Sequence, residues 1–444
     1  MRAVQIRSLS LKGVADEVAG LRPPAAEQEA VAEAVSRILA DVRARGDQAV
    51  AELTARFDWP GATGEALAVS AEELERAYKQ AEPEFLAALQ LARDNCLFFH
   101  RRELVPDWEE VGPQGQRLGL RFLPVERAGV YVPGGRASYA STVIMNTAPA
   151  LAAGVKEIVL CTPPGRDGRI DPSVLAAARL VGVERVYRVG GAQAIAALAF
   201  GTETVPRVDV ICGPGNAFVV EAKRQVFGLV GIDSLAGPSE VLIVADRSAR
   251  PHWVAVDLLA QEEHGSGASG VLLAETEEFC ALVRGAVQEL AATEARNGSG
   301  EGLWAFYPAL GEDFLTLAAA LVNEYAPEHL ELHLENAREF LPRVRSAGAV
   351  FVGGLTPTAF GDYVVGSNHV LPTGGSARFA SALSVFTFLR RSAVVETPPE
   401  AVRLLAGPLA KIADREGFSF HRRSAELRAQ AVAEGEAQGR GAVG

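Results

Sequence analysis

Four cysteines in 444 residues, Cys96, Cys161, Cys212 and Cys280, are too few and too widely spaced for a disulfide framework or a C-x-x-C metal site. Only five of the 43 basic residues are lysine, and 55 acidic residues leave a net charge of −12. With that balance and no basic patch, nucleic acid and acidic membrane surfaces are not expected partners. No run of 18 apolar residues occurs, and residues 1–24 hold no apolar stretch of the signal-peptide kind. A reducing, cytoplasmic setting is the expectation. There is no low-complexity linker and no internal repeat, and 48% hydrophobic with 22% charged residues excludes disordered, collagen-like and coiled-coil classes.

What is present is periodicity. Residues 24–57 and 71–100 carry apolar positions three and four apart and read as helices, with Pro83 placed to open a new one. From Gly129 the texture changes to short β-rich runs at 130–132, 158–161, 186–189, 208–212 and 241–244, each followed by a turn and a helical pattern. The rhythm continues at 271–274, 330–334 and 349–352. Such alternation specifies a parallel α/β sheet. The turn-rich segment 353–375 suits a functional loop. From Ala380 onward the chain reads as helices, with a disordered tail expected after Ala433.

Ligands of open α/β sheets bind beyond strand ends. Three glycine turns stand there: 131–135, 189–193 and 212–216, tipped by Tyr131, Gln193 and Asn216. The third nearly matches a dinucleotide fingerprint, with Asp233 twenty residues past Gly213, but Phe218 occupies the third glycine position. One such turn alone is ordinarily only a turn; three in one sheet point to a ligand.

Among seven histidines, His264 stands three residues after Gln261 at a helix end, so the two share a face. His329 follows Glu328 at the mouth of a strand, His369 lies in Gly366-Ser367-Asn368-His369, and His421 follows Glu416 near the C-terminus. His100, His252 and His333 read as structural or surface residues. By spacing alone a His/carboxylate metal site would take Glu262 or Glu263 rather than Gln261, because carboxylates are commoner zinc ligands. Cys212 before the third turn is placed for a nucleophile, although a buried strand-end thiol is the plainer reading.

These segments together resemble the histidinol dehydrogenase family. The resemblance is carried by GVYVPGG (129–135), VGGAQAIAALAFGTETVP (189–206), GPGNAFVVEAKRQV (213–226), AGPSEVLI (236–243), LLAQEEHG (258–265), YAPEHLEL (325–332) and GDYVVGSNHVLPTGG (361–375). It implies four-electron oxidation of L-histidinol to L-histidine through the aldehyde, closing histidine biosynthesis, with NAD and one Zn2+ per subunit. By the same resemblance, the zinc ligands fall on Gln261, His264, Asp362 and His421. The general base falls on His329, and the residue that activates water on Glu328. Ser239, His369 and Glu416 join the metal ligands and His329 in holding substrate, while NAD is held near Tyr131, Gln193 and Asn216.

The implied fold is α/β, two incomplete Rossmann-like parallel-sheet domains (aldehyde-dehydrogenase-like) with small helical N- and C-terminal extensions. The expected division is an arm at 1–25, a discontinuous first domain at 26–129 plus 240–380, a second at 130–239 and a C-terminal extension at 381–444. The resemblance also implies a homodimer in which the extension, with His421, crosses to the partner. Two competing readings are a paralogue oxidising another small polar primary alcohol and a catalytically inactive NAD-binding protein. The second would tolerate loss of Glu328 or His329, and both are present.

Overall fold

The computed structural model describes residues 4–21, 28–135, 138–265, 267–293 and 302–441. In chain order the strands are β1 (Gln5–Leu9), β2 (Trp108–Val111), β3 (Arg117–Pro124), β4 (Arg127–Tyr131), β5 (Glu157–Thr162), β6 (Arg185–Arg188) and β7 (Val210–Cys212). They continue as β8 (Gly231–Ile232), β9 (Glu240–Ala245), β10 (Ser269–Ala274), β11 (Leu303–Pro308), β12 (His329–His333), β13 (Ala349–Val352) and β14 (Leu389–Glu396). Contacts divide the chain into a large unit, residues 1–103 and 125–388, and a small one, 104–124 and 389–444.

Within the large unit are two parallel sheets, ordered β1-β11-β10-β9-β12-β13 and β6-β5-β4-β7-β8. The inner strands β5, β9 and β10 are short Val/Ile/Leu-rich runs covered on both faces, as crossover helices require, whereas the edge strand β1 is largely exposed. β9 is buried at every position. In the five-stranded sheet Val159, Cys161 and Ile211 share a core with the helix Gly191–Phe200 and with Val35, Leu39 and Val50. Those last three residues belong to the helices Gln28–Arg45 and Asp47–Phe57. Residues 28–57, grouped by sequence with 240–380, thus supply core to the other sheet. The start expected for the first helix, at residue 24, lies outside the described residues, as does part of the arm at 1–25. Pro83 opens the helix Pro83–Arg101, where the missing N–H costs nothing.

β12 is unusual for a buried central strand. His329, Glu331 and His333 alternate with Leu330 and Leu332, so the pleat sends all three ionisable groups to one face. The two leucines join the core of Leu242, Val244 and Leu321 on the opposite side. The polar face lies on the side where Val241, Ile243 and Ala245 of β9 pack with Val254, Leu258 and Leu259 of the helix Pro251–Glu262.

The small unit pairs β3 with β14 antiparallel over eight residues, from Leu389 opposite Pro124 to Glu396 opposite Arg117, with β2 on the far edge. Residues 389–396, expected to be helical, are therefore a strand. Its partner is more than 260 positions away in sequence, so local periodicity could not reveal it. The helices Pro399–Arg415 and Ser419–Gly441 complete the unit. The tail expected to lose structure after Ala433 stays helical to Gly441, and 442–444 lie outside the described residues.

Candidate active site

The helix Phe314–Tyr325 ends with Ala326 in the left-handed region at φ 47°, and Pro327 follows. A non-glycine residue there is strained by about 1 kcal/mol or more, and such strain collects at functional sites. This turn sets up the next two side chains. Consecutive strand residues would diverge, but Glu328 precedes β12, and its Oε2 lies 3.5 Å from His329 Nδ1. Both groups are fastened to Glu240, which stands beside them at the start of β9. Glu328 Oε2 accepts from the Glu240 N–H at 2.9 Å, while His329 Nδ1 lies 3.1 Å from the Glu240 carbonyl oxygen. Glu240 itself was not singled out from sequence; a carboxylate opening an otherwise apolar strand run beside Ser239 is the signal that it left.

On the other side of the imidazole, His329 Nε2 stands 3.6 Å from Asp362 Oδ1. Nε2 is buried and has no hydrogen-bond partner among the described residues. Burial alone would lower the imidazole pKa, but Glu328 and then Asp362 outweigh it and raise it to about 9. Burial pushes Glu328 up to about 7, against the pull of His329. Asp362 moves the other way. Burial opposes its ionisation, yet His329, His369 and His264 together hold it below the ordinary carboxylate range.

Asp362 sits in the helix Thr358–Tyr363 inside the segment expected to be a functional loop. His369 is fixed through its neighbour: Asn368 donates to the Met145 carbonyl at 2.7 Å and meets His100 Nε2 at 3.1 Å. His100 is thus a buried hydrogen-bonded residue, and its Nδ1 lies 2.8 Å from Glu103. Gln261 is 3% exposed near the end of the helix Pro251–Glu262, with its amide Nε2 buried and unpartnered among the described residues. His264 follows in the next turn; burial lowers its imidazole pKa, and Asp362 works against that. Ser239 adjoins Glu240, and its carbonyl accepts from Ser269 N–H at 3.1 Å.

Glu416 and His421 belong to the small unit. Glu416 caps the helix Pro399–Arg415, and the His421 ring stacks on Phe418 at 5.0 Å.

A cavity of about 1010 Å³ gathers the tips of all three glycine turns, with Tyr131, Gln193 and Asn216 in its wall. The Tyr131 hydroxyl accepts from Gly191 N–H at 3.1 Å, and burial raises its pKa to about 12. Gln193 Nε2 lies 3.4 Å from Asp58 Oδ2, a cavity carboxylate that sequence reasoning missed. Asn216 Oδ1 caps the helix Ala217–Val226 by accepting from the N–H groups of Phe218 and Val219. Gly213, at φ +118°, is obligatory: a Cβ there would lie 2.0 Å from the Tyr131 carbonyl oxygen. Tyr139 lines the cavity and is close enough to Tyr363, beside Asp362, to perturb it electrostatically.

The structure decides two points the sequence left open, and at Cys212 the plainer reading of a buried strand-end thiol holds. Asp233, at fingerprint spacing for a ribose, is buried against Lys223 and accepts from Gly213 N–H at 2.8 Å, while Lys223 donates to the Gly213 carbonyl at 3.1 Å. It holds the turn together from behind. Cys212 is buried with its thiol pKa raised far above normal by burial, so it offers no thiolate nucleophile.

Two parallel α/β sheets, a buried imidazole between two carboxylates and a cavity at the strand ends of the five-stranded sheet are the parts of an α/β enzyme. A family model described as histidinol dehydrogenase matches residues 21–429. A histidinol dehydrogenase of Synechococcus sp. is 50% identical over 399 residues, covering 90% of this chain and 92% of the relative. One from Rhizobium meliloti is 45% identical over 435 residues, covering 98% of this chain and all of the relative. The crystal structure of histidinol dehydrogenase from Elizabethkingia anophelis superposes with a TM-score of 0.91 at 32% identity, covering 98% of this chain and 99% of that one. The chain belongs to the histidinol dehydrogenase family.

Proposed function

We propose that this chain oxidises L-histidinol to L-histidine in two successive hydride transfers to NAD+, with L-histidinal between them. The buried Glu328–His329 pair, clamped on Glu240 and facing Asp362, is the observation that carries this reading. In the first oxidation the alcohol loses a hydride to NAD+ and its hydroxyl proton to a base. In the second, water adds to the aldehyde, and the hydrate loses a hydride and another proton. His329 serves as base in both steps through Nε2, once it has given up the proton that Glu328 and Asp362 favour there, since Nδ1 is engaged by the Glu240 carbonyl. Glu328, once ionised, takes the proton of the attacking water. NAD occupies the cavity at Tyr131, Gln193 and Asn216. Ser239, His369 and Glu416 orient the substrate, together with His329.

The donor set also suits zinc. Gln261 carries a buried amide whose oxygen, not its nitrogen, is the atom that could ligate, His264 an imidazole held towards its neutral form, and Asp362 a carboxylate held ionised. The set is completed by the partner subunit's His421, in a homodimer exchanging its C-terminal extensions. When bound, zinc would hold the substrate's imidazole and amine as a template. No described helix is long and apolar enough to cross a membrane, and the cytoplasm is the proposed setting.

The decisive experiment counts NADH formed per L-histidinol consumed. Two equivalents support the proposal; one, or none, sinks it.

A further inference from the structure

Glu331 and His333 lie outside the machinery above, yet they share the polar face of β12 with His329. Glu331 is 1% exposed. Its Oε1 accepts from both the N–H and the hydroxyl of Thr358, each at 2.7 Å, and its Oε2 lies 3.0 Å from His333 Nε2. Asp257 closes the cluster, with Oδ2 3.8 Å from the same His333 nitrogen. Ligand atoms of Asp257, Glu331 and His333 all lie within 4.8 Å of one another, and burial, then Glu331, raise the Asp257 carboxyl.

The placement of these partners is informative. Asp257 stands one helical turn before Gln261 in the helix Pro251–Glu262, and Thr358 one turn before Asp362 in the helix Thr358–Tyr363. Residues four apart lie on one helix face. One buried carboxylate therefore ties the strand bearing His329 to the helices bearing Gln261 and Asp362, two of the proposed metal ligands.

We propose that Glu331 is a positioning residue that fixes Gln261 and Asp362 against His329 before any metal arrives. The proposal rests on the metal reading above only for what those side chains do. The tie itself belongs to the metal-free protein. Asp257, Glu331 and His333 also place one ligand atom each within 4.8 Å of one another, so a second metal site is the competing explanation.

The test measures amide hydrogen exchange in metal-free protein and zinc binding by calorimetry. In Glu331→Ala the amides of 358–363 should exchange about ten-fold faster, while β9 and β10 stay protected. Zinc affinity should fall about 10–100-fold, as when the outer partners of metal ligands are removed. Glu331→Gln retains an oxygen for Thr358 and should restore most of the protection. Thr358→Val, a milder change, should loosen the same segment if Glu331→Ala fails to fold. Unchanged exchange at 358–363 in both Glu331→Ala and Thr358→Val overturns the proposal. So does a second zinc equivalent in the wild type that His333→Ala removes. If the wild type binds no zinc, the metal reading falls, and the exchange result still decides this one.

Discussion

His329 Nδ1 lies 3.1 Å from the carbonyl oxygen of Glu240, and that contact decides which imidazole nitrogen can work as a base. A carbonyl only accepts, so Nδ1 carries the hydrogen and Nε2 is left to take protons. Glu328 is held by the N–H of the same residue. Glu240 therefore sets the relative positions of two groups assigned different protons. His329→Asn should slow both oxidations. Glu328→Gln keeps size and hydrogen bonding but loses the base, which typically costs ~10²–10⁴-fold. That loss should fall on oxidation of supplied histidinal, with single-turnover hydride transfer from histidinol largely spared. Equal depression of the two half-reactions would remove the division of labour.

The Lys223–Asp233 pair makes a prediction opposite to the one fingerprint spacing suggests. Both side chains are at most 3% exposed. Breaking a buried pair by neutralising one partner costs roughly 3–5 kcal/mol. Asp233→Asn should therefore lower the denaturation midpoint strongly and move the KM for NAD+ only through the Gly213 turn. A raised KM with unaltered thermal stability would return Asp233 to the ribose.

Much of the large unit was legible because its information is local. Val241 to Val244 and Ile158 to Cys161 are short apolar runs between turns, and a buried parallel strand needs nothing more. β14 was not legible, since Leu389 to Glu396 is almost wholly exposed and gains its strand character from β3. In the candidate site, motif likeness pointed to His329, Asp362 and Gln261. It could not show that Glu240 clamps two of the site residues through its backbone, because any residue type has that N–H and C=O. Glu331 and Asp257 escaped notice because buried acids on unrelated elements leave no spacing in sequence.

Asn216 has two jobs that one substitution would confuse. Its Oδ1 caps the helix Ala217–Val226, and the residue also lines the cavity. Asn216→Leu should raise the KM for NAD+ and destabilise the protein by ~1 kcal/mol through the lost cap. Asn216→Ser keeps a capping oxygen, so it should leave stability nearly intact while still weakening NAD+ binding. If Asn216→Ser binds NAD+ as the wild type does, the side chain only caps.

Asp58 gives the chain a pH signature. It lies in the cavity wall, where burial raises its pKa to about 6, against the pull of Arg166 and the Gly190 N–H. A folded carboxyl whose pKa exceeds its unfolded value binds extra protons between the two. The folded state is thus favoured below 3.8, the ordinary value, and loses that advantage as pH rises to about 6. Asp58→Asn keeps an acceptor for Gly190 but carries no charge at any pH. Relative to the wild type, the variant should gain stability across that window and hold the gain above it. Partial exposure screens the effect to about 1 kcal/mol. Denaturation midpoints of the two proteins without NAD, compared at about pH 4 and about pH 8, should show the gap widening in favour of Asp58→Asn. Parallel curves would mean that Asp58 is hydrated as an ordinary surface carboxylate.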